Sequence, residues 1–166
     1  MQQKQDQTRW SKTMKNVSIF SGMLAVLIAL FGVRAVADDH CNLSLGAADN
    51  MQFSTKAMAA PVACENVTVT LNHTGVFPKN AMGHNWVLTT EADFKGVAMD
   101  GGSAGLKNNY VKEGDTRVIA MTEIIGGGES TSVTFSTEGL TAGTAYTFFC
   151  SFPGHWGIMK GTFTLS

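Results

Sequence analysis

No Cys-x2-Cys pair occurs anywhere in this 166-residue sequence, and no cluster of Lys or Arg follows position 37. The first absence argues against a structural zinc site, which commonly draws on paired cysteines. The second argues against nucleic acid: from residue 38 onward 7 basic residues stand against 12 acidic ones, a net charge of about −5. That balance lacks the basic footprint of a nucleic-acid binder. There is no internal repeat, no low-complexity linker and no sign of a second domain. Only three cysteines and three prolines are present, too few cysteines for a disulfide framework to replace a core.

The longest uninterrupted apolar run, residues 23–31, lies near the amino end. It sits within an uncharged stretch, 16–33, that follows Lys4, Arg9, Lys12 and Lys15 and precedes Ala35-Val36-Ala37. Basic head, apolar centre and small-x-small end are the pattern of an export signal, so residues 1–37 are expected to be a signal peptide cleaved after Ala37. An uncleaved anchor is the alternative, through which alone the chain would touch a membrane. The stretch is at the lower edge of what spans a bilayer. Met14 is a second candidate start. Residues 38–166 remain, enough for one domain with a real core.

In an oxidising compartment Cys41 and Cys64 can pair, which leaves Cys150 over. Around it stands the densest cluster of ligand chemistry in the chain: Cys150, His155 and Met159 in a Cys-x4-His-x3-Met run, between apolar strand-like segments. Thiolate and thioether are soft donors that select copper. Two imidazoles and a thiolate, with a weak axial thioether, make a blue-copper electron-transfer site. His84, within Met82-Gly83-His84-Asn85-Trp86, offers the second imidazole. A cysteine nucleophile with a histidine base is the enzymatic alternative, but it lacks an orienting third group and has no use for Met159.

The rest reads as β structure. Residues 67–72, 132–136 and 161–165 alternate apolar and polar, while 85–89, 117–121 and 146–149 are more continuously apolar, with glycine-rich turns between them. The expectation is an all-β Greek-key sandwich or barrel of seven or eight short strands. Residues 91–106 are helix-compatible, with Thr90 and Asp93 marking the start.

Several of these segments together resemble the azurins, periplasmic blue-copper proteins of the cupredoxin family. The likeness is carried by Asn50-Met51-Gln52-Phe53, by residues 78–88, 132–135 and 148–155, and by the 41-to-64 cysteine spacing. It implies an eight-stranded cupredoxin sandwich with a helical flap and one copper ion. It places equatorial ligands at His84, Cys150 and His155, with Met159 and the Gly83 carbonyl axial. Amides of Asn85 and Phe152 would then bond the Cys150 sulfur, Cys41–Cys64 would be a disulfide, Trp86 would lie in the core, and His73 would sit close to His84 without being a ligand. An apolar docking patch is implied at Met51, Phe77, Ala81, Met82, Phe152, Pro153, Gly157 and Ile158. Trp156, where azurins commonly carry a small residue, is expected to lie exposed and to enlarge it; Gly102 stands where a Met often extends it. The implied activity is single-electron transfer among periplasmic c-type cytochromes and respiratory reductases, without substrate turnover. Copper storage or delivery is the alternative. Finally, a chain beginning Asp38-Asp39-His40 would offer an amine, two amides and an imidazole, a second Cu(II) or Ni(II) site.

Overall fold

The computed structural model describes residues 39–166; the expected signal peptide, 1–37, lies outside the described residues, as does Asp38. The order of elements is β1 (Asn42–Ala48), β2 (Gln52–Phe53), β3 (Ala57–Ala60), β4 (Asn66–His73), α1 (Lys79–Met82), β5 (Val87–Thr90), α2 (Glu91–Gly101), β6 (Val118–Met121), β7 (Ser130–Ser136), β8 (Tyr146–Phe149) and β9 (Lys160–Leu165). One sheet runs β2-β1-β4-β7 and the other β3-β9-β8-β5-β6. β1 pairs parallel to β4 and β3 parallel to β9; the other ladders are antiparallel.

Among the described residues nine strands stand where about eight were expected, because residues 52–60 change sheets. β2 pairs with β1 on one side of the sandwich, and β3 pairs with β9 on the other. β1 escaped the periodicity reading. Its Gly46, Ala47 and Ala48 are weak strand formers, and it forms because β2 and β4 pair with it on either side.

Period-two alternation on β4 sends Val67, Val69 and Leu71 into the interior, each fully buried. They meet Trp86, Phe148 and Phe163, and the Trp86 ring stacks against Phe135 and Phe148 at 5.9 and 6.1 Å. The continuously apolar strands have their own cause. β5 and β8 are covered on both faces: Phe148 joins the sandwich core, while Val87 and Phe149 join a second cluster under α2 with Phe94, Val97 and Ala98.

Helix α2 begins as its sequence implies. Thr90 Oγ1 accepts the Asp93 amide at 3.2 Å and donates to the Asp93 carboxylate at 2.6 Å, a side-chain cap for an otherwise unpartnered donor. The helix ends at Gly101, and a 3-10 turn over Leu106–Asn108 closes the excursion. Arg117 ties its end down through Asp100 and Asp115, both at 2.6 Å. The Cys41–Cys64 disulfide joins the start of β1 to the loop before β4, with Cα atoms 5.7 Å apart.

Candidate metal centre

Two segments, 83–84 and the loop from Cys150 to Met159, deliver the donors to one end of the sandwich. Cys150 directly follows β8, whose Phe148 and Phe149 are locked in the two clusters. The return loop is cross-tied: Met159 O accepts the Cys150 amide at 3.0 Å, and His155 O accepts those of Ile158 and Met159 at 3.0 and 2.8 Å. Gly154 makes the bend at φ +82°, a conformation glycine reaches without a side-chain penalty. His84 arrives from the other direction, on an isolated bridge with Ile125 whose two hydrogen bonds measure 3.0 and 2.9 Å. Gly83 before it packs so tightly on the Lys79 carbonyl and Ile124 that no larger residue fits.

The donor atoms of His84, Cys150 and His155 all lie within 4.8 Å of one another, and all three residues are buried. Cys150 Sγ is 3.8 Å from His84 Nδ1 and 3.6 Å from His155 Nδ1, with the Gly83 carbonyl at 3.9 Å. Bonds of about 2.0 Å to nitrogen and about 2.3 Å to sulfur, at trigonal angles, separate such donors by about 3.7 Å. The cluster therefore has the dimensions of a trigonal site built from two nitrogens and one sulfur. Met159 is buried beside it, 1% exposed.

Electrostatics prepare these donors. Burial lowers His84 to a pKa of about 4 and lowers His155 as well, so both imidazoles keep free lone pairs at neutral pH. His84 Nε2 donates to Ala48 O at 2.9 Å, which leaves Nδ1 as the ligand atom and fixes the ring plane. Burial pushes the Cys150 thiol up to about 12, against hydrogen bonds from the Asn85 and Phe152 amides that favour the thiolate. Only a cation would bring out that thiolate near neutral pH.

Other contributors were invisible in the sequence. Asn85 Nδ2 donates to Ser151 Oγ and Asn109 O at 2.8 and 3.1 Å. Ser151 N donates to Asn85 Oδ1 at 2.9 Å, and Ser151 Oγ to Asn109 O at 2.7 Å. Asn109, at φ +55°, also takes the Ile124 amide at 2.9 Å. This network, buried at Asn85 and Ser151 and half-buried at Asn109, locks the His84 segment to the Cys150 segment. Its members lie up to 66 residues apart, and no local pattern marks them.

Residues 39–166 match the copper-binding proteins of the plastocyanin/azurin family. The chain belongs to that family. It is 61% identical over 126 residues to the azurin of Pseudomonas denitrificans, covering 76% of this chain and 98% of that protein. It is 53% identical over 143 residues to the azurin of Achromobacter denitrificans, covering 86% and 95%. A solved azurin (Az-iso2) from the methylotroph Methylomonas sp. strain J superposes with a TM-score of 0.73 at 48% identity, covering 76% of this chain and 98% of that one. Copper is thus the cofactor, His84, Cys150 and His155 form the candidate copper site, and the chain is a blue-copper electron-transfer protein.

The expected docking residues divide. Phe77 and Ile158 are 50% and 59% exposed; Ala81, Pro153 and Gly157 are exposed, and Met51 and Met82 half-buried. Phe152 is corrected: it is buried, its ring against Tyr110 and His155 at 5.3 and 4.6 Å. Trp156 is corrected too. It is half-buried, edge-on to Phe94 at 6.0 Å, because α2 packs outside β8 and supplies an aromatic partner from 62 residues upstream. Val76, which was not anticipated, is 84% exposed and adjoins Phe77 in sequence. His73 lies as expected, stacked on His84 at 4.5 Å. Its Nε2 donates to Met82 O at 2.8 Å while its Nδ1 accepts the Gly75 amide at 3.1 Å.

Proposed function

We propose that the chain is exported, cleaved after Ala37, and works in the periplasm as a carrier of single electrons between c-type cytochromes and respiratory reductases. The copper ion would be held by His84, Cys150 and His155, with the Met159 thioether and the Gly83 carbonyl as further, weaker donors. The observation that carries this reading is the buried cluster of His84, Cys150 and His155 donors at the spacing of a trigonal site, where burial favours the neutral form of both imidazoles. When bound, copper supplies a one-electron Cu(II)/Cu(I) couple. The protein's part is to hold the donors still. Ala48 orients His84, the Asn85–Ser151–Asn109 network fixes the two ligand segments together, and burial keeps water out. Ligands held this rigidly change little between oxidation states.

Export is supported by the basic-apolar-small pattern of residues 1–37 and by a family match that begins at residue 39. Docking would use the exposed apolar surface of Phe77, Ala81, Pro153, Gly157 and Ile158, a small face suited to brief encounters. Storage or delivery of copper fits less well, because buried, cross-tied ligands favour retention over release. An absorption spectrum decides the metal chemistry. Protein loaded with Cu(II) is expected to show an intense visible thiolate-to-copper charge-transfer band and to exchange electrons rapidly with a c-type cytochrome. A colourless copper complex would overturn the reading.

A further inference from the structure

We infer that Phe94 of α2 is a positioning residue for the copper ligands, holding the loop from Cys150 to Met159 in its ligating shape before any ion arrives. The inference deepens the copper-site reading above and rests on it. What carries it is a convergence of three side chains on one ring. Phe149, which precedes Cys150, meets the Phe94 ring edge-on, with centroids 5.1 Å apart and planes at 69°. Trp156, which follows His155, meets it at 6.0 Å and 71°. Lys160, which follows Met159, carries its Nζ over the same ring, 4.7 Å from the centroid. Each donor of the loop thus has a chain neighbour fastened to Phe94. Val87, three residues past His84, lies in the same buried cluster.

Helix α2 is built to bear that load. Phe94 shares its inward face with Val97 and Ala98, three and four residues on, and all three are buried. The start of the helix is fastened twice. Thr90 caps it, and Glu91 accepts the hydroxyl of Thr147 on β8, two residues before Phe149. Perpendicular aromatic pairs set the negative face of one ring against the positive edge of another, and an ammonium is drawn to the same kind of face. Such contacts fix direction as well as distance, which aliphatic packing alone does not.

The loop's other ties leave this role open. The Phe149–Lys160 pair closes its base, and Ser151 is bonded to Asn85 and Asn109. The bonds from the Ile158 and Met159 amides to His155 O join the far limb only to itself. Trp156 is the side chain that carries this limb to the helix. Ordering a loop on binding costs conformational entropy, and a loop already held avoids that cost, which tightens binding and slows release. Once copper is bound, the ion itself holds the donors. The clamp therefore governs capture and retention of copper more than the colour of the site.

The test is amide hydrogen exchange of the copper-free protein, followed by NMR, with Cu(II) alone then added as the probe. Phe94→Leu keeps apolar volume in the cluster and removes the ring. It is expected to speed exchange of the Ile158 and Met159 amides about tenfold through local opening. After loading, it is expected to speed copper loss to a chelator by a similar factor, with the blue band unmoved. Trp156→Ala is expected to act in the same direction, and the double variant to fall short of the combined effects, because the pair is shared. Thr90→Ala weakens the helix at its cap and leaves the Phe94 ring in place, so it controls for mere loss of stability and is expected to leave both amides unchanged. Wild-type exchange of both amides in Phe94→Leu, or equal loosening by Thr90→Ala, would overturn the inference. A blue protein whose loop exchange ignores Phe94 leaves the copper reading standing; a Phe94-dependent loop in a protein that never turns blue keeps the clamp and overturns that reading.

Discussion

In the proposed copper site Cys150 and Met159 are both sulfur donors, yet they carry different loads. The thiol is completely buried, and its pKa is pushed up to about 12 despite two amide hydrogen bonds. It therefore exists as thiolate chiefly through the metal, and its covalency gives the site its colour. A thioether at the axial position only tunes. Cys150→Ser is expected to abolish the blue band, while Met159→Leu is expected to keep the band and raise the reduction potential. Spectra and potentiometry of the two variants check this, and a Met159→Leu protein that binds no copper would contradict it. Trp156 is a different matter, because its half-buried ring braces the ligand loop against Phe94. Trp156→Ala is expected to lower stability in urea unfolding by about 2 kcal/mol, less than a fully buried Trp loses, and to slow exchange with the partner while leaving the blue band in place. Unchanged stability would make it a passive surface residue.

Helix α2 links its cap to the sandwich without touching the ligands. Thr90 closes its first turn, and its Phe94, Val97 and Ala98 cover Val87 and Phe149 on the outer face of the larger sheet. Losing a side-chain cap costs about 1 kcal/mol. Thr90→Ala is therefore expected to destabilise by about that much, read in thermal or urea unfolding, with an unaltered blue spectrum. A changed spectrum would mean that helix and ligand loop are mechanically coupled. At this scale the sequence was legible where period and capping were strong: β4, β7, β9 and the start of α2 all lie where alternation or Thr90 marked them. β1 was not legible, since Gly46, Ala47 and Ala48 carry little strand preference. The sheet change across residues 52–60 was not legible either, because which sheet a strand joins depends on distant partners.

For the whole molecule, the prepared imidazoles imply a pH dependence of the copper-free fold. His84 falls from 6.5 to about 4 through burial, and His155 is lowered too. A depressed histidine means that the unfolded chain takes up a proton the folded one refuses. Its stabilising contribution is complete above pH 6.5 and disappears as the pH falls to about 4. At about 1.4 kcal/mol per pH unit, His84 alone accounts for about 3 kcal/mol. Urea unfolding of copper-free protein from about pH 7 to about pH 4 is expected to show this loss, and His84→Gln to flatten it. Bound copper stabilises the native state by mass action and is expected to shift the loss to lower pH. A flat profile in the copper-free wild type would refute the assignment.

Taken alone, the sequence singled out Cys150, His155 and Met159 as one cluster of soft and imidazole donors with His84 as a second imidazole, and the structure brings His84, Cys150 and His155 together. The Cys-x4-His-x3-Met loop is local, so its spacing is readable, and soft sulfur beside imidazole names the metal whatever the fold. It also determined the β class, since two-residue alternation is a local consequence of a strand with one face in the core. Only the tertiary structure decided which histidine nitrogen faces the sulfur, because that depends on Ala48 O, 36 residues from His84. It likewise decided that Ser151 and Asn109 brace the site, that Phe152 is buried, and that Trp156 leans on Phe94 instead of standing in solvent. Each of these follows from contacts between segments far apart in the chain, formed when two sheets and a helix close over one core.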